Sequence, residues 1–255
     1  MQIVGYETAP VSDGEAKLLI AENSDVRTEG LAVGTDLSYR LGRRHCGGTI
    51  EYETNGHTSC DREQAPYCDR HTSRWACARC TGDCDLPLES CREEHAIYLA
   101  AFAPETFKVG VTRSWRLETR LREQGADRAA HVRTVEDGRI ARQIEAEIAT
   151  EIGDRVRVPT KRRGLHRSVD SDRWGDVLGG YDPIRTYEFE YGLDLSARPM
   201  SETIAAGTVR GTQGRLLVLD REGSTYAVDL RDLVGYELTA GKTDRALQSS
   251  FSAFE

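Results

Sequence analysis

Residues 94–153 read EHAIYLAAFAPETFKVGVTRSWRLETRLREQGADRAAHVRTVEDGRIARQIEAEIATEIG. An apolar run at Ala96 to Ala101, a short loop holding Pro104 and a second run at Phe107 to Val111 predict two adjacent strands. A charged helical pattern follows, then a short strand candidate around Ala129 to Val132 and a second helix from Arg139 to Ile152. The order is β-β-α-β-α, the centre of an α+β chain. Ser114 is placed to cap the first helix, and Gly125 to end it in the left-handed conformation. Leu117 and Leu121 give that helix a buried stripe, with Arg113, Arg116 and Arg120 on a neighbouring one. The second helix repeats Ile140, Ile144, Ile148 and Ile152, and Glu145 lies beside that seam. The stretch therefore offers a phenol at Tyr98, a row of guanidiniums and one carboxylate near a buried helix face.

With AIYLA on the first strand and KVGVT on the second, this order resembles the GIY-YIG endonuclease superfamily. The superfamily's first-motif tyrosine, second-motif glycine, helical arginine and metal-binding glutamate match Tyr98, Gly110, Arg120 and Glu145. Lys108 stands where the superfamily carries a second tyrosine, and His95 and Ala96 precede Ile97-Tyr98 without the usual glycine. Most of residues 37 to 239 also resembles a family of uncharacterised microbial proteins known only as a domain of unknown function. Its members share a KVG-[IV]-TR motif followed by TR and QGA, a preceding Cys-rich segment, and a G-x-x-GR-LL-type β segment near the end.

The resemblance implies a metal-dependent nuclease. Magnesium or manganese on Glu145 would polarise a phosphate, Arg120 would neutralise developing charge and Tyr98 would take a proton from the attacking water. Lys108 or an arginine of the first helix would help a phenol act near neutral pH. The alternative is a non-catalytic nucleic-acid-binding protein with a degenerate nuclease core, which Lys108 in place of tyrosine favours. Tyr98 as a core aromatic, Arg120 as a surface residue and Glu145 paired with Arg142 are the plain structural readings.

All seven cysteines lie between Cys46 and Cys91. An odd count clustered at short spacings argues for bound metal over a disulfide framework. Cys77, Cys80, Cys84 and Cys91 can supply four sulfurs to one zinc; Cys46, Cys60, Cys68 and His71 can make a second site of three sulfurs and one imidazole. Interleaved ligation, His95 replacing a cysteine, an iron-sulfur cluster and plain buried thiols all fit the same spacings.

The chain has 255 residues and a net charge of -8, which argues against a nucleic-acid partner if the charge is spread evenly. It is not: residues 92–167 carry +4, whereas 1–91 and 168–255 carry -6 each. The positive charge is concentrated on the nuclease-like segment, as contact with DNA or RNA requires. Only four of the 34 basic residues are lysine, and with 42 acidic residues this reads as a salt-adapted, halophilic composition. Arg113 and Arg116, with Lys161, Arg162 and Arg163 in an acid-free run at 155–167, are candidate phosphate contacts; Pro159 and Gly164 suggest a loop there.

Four segments are expected: an amino-terminal β segment (1–45), a zinc-binding segment (46–93), the core (94–167) and a β-rich segment (168–255) able to join the first. In the last, Ser168 to Pro183 reads as a linker with one helical turn at Trp174 and Leu178, Arg221-Glu222-Gly223 as a hairpin turn, and the end after Gly241 as a helix or frayed tail. The longest apolar run, Ala96 to Ala103, is too short to cross a bilayer, and the first residues lack a leader pattern, so a cytoplasmic protein without a membrane partner is expected. Nothing indicates an oligomeric state.

Overall fold

Six strands precede the Cys-rich segment: β1 (Gln2–Glu7), β2 (Lys17–Glu22), β3 (Asp25–Gly30), β4 (Asp36–Arg44), β5 (Thr49–Glu51) and β6 (Gly56–Thr58). The computed structural model describes residues 1–10, 14–72, 82–84 and 89–241. The run Leu18-Leu19-Ile20-Ala21 is apolar without alternation because both faces of β2 are covered. Leu18 and Ile20 join Ile3 in one core cluster, while Leu19 and Ala21 join Val4 under Val26 and Ile50 in another. Asn23 and Ser24, at φ 50° and 69°, form the tight turn between β2 and β3.

The chain divides into two compact units, one of Met1–Ser73 with Tyr191–Glu255, the other of Arg74–Glu190. The second contains β7 (His95–Phe102), β8 (Thr106–Arg113), α1 (Leu117–Gln124), β9 (Arg128–Val135), α2 (Gly138–Ala149), α3 (Val158–Gly164), α4 (Ser171–Leu178) and β10 (Arg185–Glu188). The β-β-α-β-α order is present. The antiparallel sheet runs β10-β9-β7-β8, and β7 is buried at each residue after His95, which explains its continuous apolar run.

Local chemistry departs from the sequence expectations in several places. Ser114 starts a short 3-10 turn instead of capping α1; Arg116 is at the N-cap without a side-chain bond, and the buried Ser114 Oγ has no hydrogen-bond partner. Gly125 ends α1 at φ 66°, as expected. On α2 the inward seam is the buried Ala141 with the partly buried Ile144 and Ile148, and Ile152 just past its end packs on the same cluster, whereas Ile140 is 48% exposed. A four-residue repeat drifts about 40° per step around a helix, which carries Ile140 away from the face of Ile144 and Ile148.

The middle of the basic run is a helix, α3, where a loop is expected. Pro159 falls in the first turn of α3, where its missing N–H costs nothing, and Gly164 is required because a Cβ there would overlap the Ala103 carbonyl oxygen. In the expected linker, the helical turn at Trp174 and Leu178 is present as α4: Asp170 caps it, and the buried Trp174 docks it by stacking on Phe107 with centroids 5.8 Å apart. β10, expected with the carboxy-terminal strands, pairs instead with β9.

The chain then forms β11 (Met200–Ser201), β12 (Ala205–Gln213), β13 (Leu216–Arg221), β14 (Ser224–Asp229), α5 (Leu230–Leu233) and β15 (Tyr236–Ala240). With the first six strands they make an 11-stranded sheet, ordered β11-β14-β13-β12-β4-β15-β1-β2-β3-β6-β5. β4 lies between β12 and β15, so the two ends of the chain complete one sheet, with Leu217, Leu219, Val228, Leu230 and Leu233 in its core. Glu222 and Gly223, both at positive φ, make the expected turn between β13 and β14. The tail expected after Gly241 lies outside the described residues. Among those residues no helix is long and apolar enough to cross a membrane.

Candidate functional site

Cys46 follows the end of β4, and Cys60, Cys68 and His71 come from the irregular chain after β6. Their ligand atoms all lie within 4.8 Å of one another. The His71 Nδ1 is 3.2 Å from the Cys46 sulfur and 3.3 Å from that of Cys68, and the Cys60 and Cys68 sulfurs are 4.0 Å apart. These edges suit a tetrahedron around an ion bonded at about 2.3 Å to sulfur and about 2.0 Å to nitrogen. The group can hold a metal ion, and its donor set is consistent with zinc. Gly48, at φ 67°, turns the chain beside Cys46, where a Cβ would overlap the Thr58 carbonyl.

The backbone amide of Cys68 donates to the Cys46 sulfur at 3.2 Å, and burial raises the Cys46 thiol above its ordinary pKa. Burial also opposes ionisation of Cys68. Amides of Arg70 and His71 and the neighbouring thiols outweigh it, holding Cys68 down at about 6, where it is a thiolate near neutral pH. His45 is not part of the group: its Nδ1 is 2.9 Å from the Cys60 carbonyl oxygen. In the second expected set, Cys77 and Cys80 lie outside the described residues. Cys84 and Cys91 are described, partly exposed and not in a disulfide.

Within the other unit, Tyr98, Lys108, Arg120 and Glu145 line one cleft of about 590 Å³. Tyr98 on β7 pairs with Gly110 on β8, and Lys108 is two residues from Gly110, so all three fall on the same sheet face. The Tyr98 ring lies across Gly110: a Cβ on Gly110 would come within 2.5 Å of the Tyr98 Cζ. Glycine there admits the phenol to the cleft. α1 contributes Arg116 and Arg120, and α2 contributes Arg139, Arg142 and Glu145.

Gln124 ties the phenol to the amine. Its Nε2 donates to the Tyr98 oxygen at 2.6 Å, and its Oε1 accepts from the Lys108 Nζ at 3.0 Å. Burial raises the pKa of Tyr98, with Gln124 and the Arg120 guanidinium pulling against it. Burial lowers Lys108 to about 8, helped by the Arg120 charge and opposed by Glu145 and Asp154. Glu145 accepts from Arg142 at 2.6 Å, and Arg120 and Arg116 both reach Glu123.

The cleft is strongly cationic. Lys108, Arg113, Arg116, Arg120, Arg139, Arg142 and Arg155 line it, against the carboxylates of Glu145 and Asp154. Of the expected phosphate contacts, Arg113 and Arg116 belong to it. Lys161, Arg162 and Arg163 on α3 do not: Lys161 donates to the Gln124 carbonyl at 2.6 Å and lies 4.4 Å from the Phe102 ring centroid, and Arg163 donates to the Thr160 hydroxyl.

The family model described as protein of unknown function (DUF2797) matches residues 36–238. The chain belongs to that family. The match begins at the first residue of β4 and ends within β15, so it takes in both the sulfur cluster and the cleft. No curated protein and no solved structure gives a match.

Gln124, which bonds Tyr98 and Lys108, and the cleft residues Arg139 and Asp154 are not picked out by the sequence, whereas Arg155 belongs to the acid-free basic run at 155–167. Gln124 had a local signal, since it stands one turn beyond Arg120 on the same helix stripe. Asp154 had none: only the return of the chain after α2 brings it to the cleft.

Proposed function

We propose that the protein is a metal-dependent phosphodiesterase acting on nucleic acid, with its central unit a GIY-YIG-like nuclease core. The observation that carries this reading is the meeting of Tyr98, Lys108, Arg120 and Glu145 in one cleft with five further arginines around it. A phosphodiester is the ligand whose charge and geometry suit such a surface, because guanidiniums offer paired donors to phosphate oxygens.

A hard divalent ion fits this donor set. Glu145 is a largely buried carboxylate lining the cleft with Asp154 near by, and magnesium is commonly held by one or two carboxylates together with substrate phosphates. When bound, the ion would supply Lewis-acid stabilisation of the phosphate and leaving oxygen. Arg120, half-exposed and able to exchange Glu123 for phosphate, neutralises charge developing on the phosphoryl group. Because burial raises Tyr98, its hydroxyl stays protonated near neutral pH and orients the attacking water. Lys108, near 8, is mostly a cation at neutral pH and becomes able to accept a proton as pH rises through that value. Arg142 holds the Glu145 side chain in place.

In the unit that carries Cys46, Cys60, Cys68 and His71, zinc is the structural ion this reading assigns. It would hold a segment with no regular secondary structure between β6 and the described end near His71.

Glu145→Gln provides the test. Purified protein is incubated with magnesium or manganese and with single-stranded, branched and duplex DNA and RNA. Metal-dependent cutting is expected, with a loss of at least about 100-fold in Glu145→Gln while strand binding persists. Unchanged cutting by the variant removes Glu145 from the reaction. Binding without cutting by the parent protein favours the non-catalytic reading, for which Lys108 in the position of a second tyrosine already speaks.

A further inference from the structure

We propose that Trp115 is a stacking platform for an unpaired nucleobase beside the cleft, so that the polynucleotide taken by this site is single-stranded or locally unpaired. The proposal rests on the nucleic-acid reading of the cleft and narrows its substrate class.

Trp115 is 71% exposed, in the short turn between β8 and α1. A lone exposed apolar side chain is ordinary on a protein surface. This one differs in how it is held. Its indole Nε1 donates to the Glu93 carboxylate at 3.2 Å, and the same carboxylate oxygen lies 3.5 Å from the Arg113 Nε. The Arg113 and Arg116 guanidiniums lie 6.0 and 5.8 Å from the ring centroid, and both arginines line the cleft. The ring is thus fixed in orientation while most of its surface stays open to water.

A large π-face pinned beside phosphate-seeking cations matches the two needs of a single strand: aromatic surface for a base and positive charge for the backbone that carries it. In duplex, each base is already stacked on its neighbours and has no face to offer. An acidic peptide would satisfy the arginines but would not call for an open indole held in place.

The test uses the full chain carrying Glu145→Gln, so that strands stay intact, with Trp115→Ala and Trp115→Phe added singly. Binding is read by fluorescence anisotropy with labelled oligothymidylate, an abasic strand of equal length, and duplex. Trp115→Ala should weaken oligothymidylate binding by about ten-fold and Trp115→Phe by much less, with abasic-strand affinity unchanged in both. Equal weakening on the thymidylate and abasic strands, or none on either, overturns the proposal. Cleavage assays without the Glu145 change keep the two readings apart. Base-dependent loss in Trp115→Ala with no cutting by the parent protein sinks the nuclease and leaves the platform standing, whereas no binding to any strand sinks both.

Discussion

Lys108 carries an unfavourable burial that has a measurable sign. Its folded pKa of about 8 lies below the ordinary lysine value of 10.5, because burial and the neighbouring Arg120 disfavour the charged amine. Between those two values the unfolded chain holds more protons than the folded one, so this residue makes stability rise with pH across the window. The penalty is fully present below pH 8 and fades toward 10.5, and the gap corresponds to about 3 kcal/mol. Lys108→Met is therefore expected to raise the unfolding free energy at pH 7 by up to about 3 kcal/mol, with the advantage shrinking by pH 10, as read from denaturant midpoints at both values. A difference that does not change with pH would mean that burial of charge is not what sets it. At the same scale, Gly110 was legible as a motif glycine, but the reason for it was not: the Tyr98 ring occupies the space of its absent side chain only once β7 and β8 are in register. Gln124 shows in sequence only its place one turn beyond Arg120, because its two partners, Tyr98 and Lys108, lie on different strands.

Secondary-structure elements were legible where one local pattern dominated. β7 and β8, the Leu117 and Leu121 stripe of α1 and the Glu222-Gly223 turn all follow from apolar spacing or positive φ. α3 was misread because Pro159 and Gly164 both look like breakers, and which way each acts depends on its place. Pro159 sits in the first turn and does no harm, whereas Gly164 meets the backbone at the end of β7. Gly164→Ala should force α3 away from Ala103 and cost about 1–3 kcal/mol by overpacking, seen as a lowered thermal midpoint with increased amide exchange in α3. An unchanged midpoint would mean that the helix can shift without loss. The polar, Gly-rich stretch around α4 looks like linker in sequence, yet the helical turn at Trp174 and Leu178 was legible in it; only its partner was not, because Phe107, on which Trp174 docks, is far away in the chain.

At the level of the whole molecule, the chain supports two separate sites on two compact units, a sulfur-rich cluster on one and a cationic cleft on the other. The cluster should account for about one equivalent of bound zinc, lost in Cys60→Ser or His71→Ala by metal analysis. Hydrogen exchange should then rise in the segment from Cys46 to His71, while the core strand β7 keeps its protection. Zinc content unchanged by both substitutions would remove the cluster as a metal site.

A Cys-rich segment with metal-ligand spacing, the β-β-α-β-α order and the clustering of positive charge were determined by sequence, because each is a matter of residue type and spacing along the chain; which four of those ligands converge, Cys46, Cys60, Cys68 and His71, was not. Tertiary structure alone decided that β4 pairs with β12 and β15, that β10 joins β9, and that Asp154 and Arg155 line the same cleft as Tyr98. Strand partnership and cleft membership depend on which distant surfaces can be buried together, and that choice is made by packing in three dimensions, where periodicity along one segment has no say.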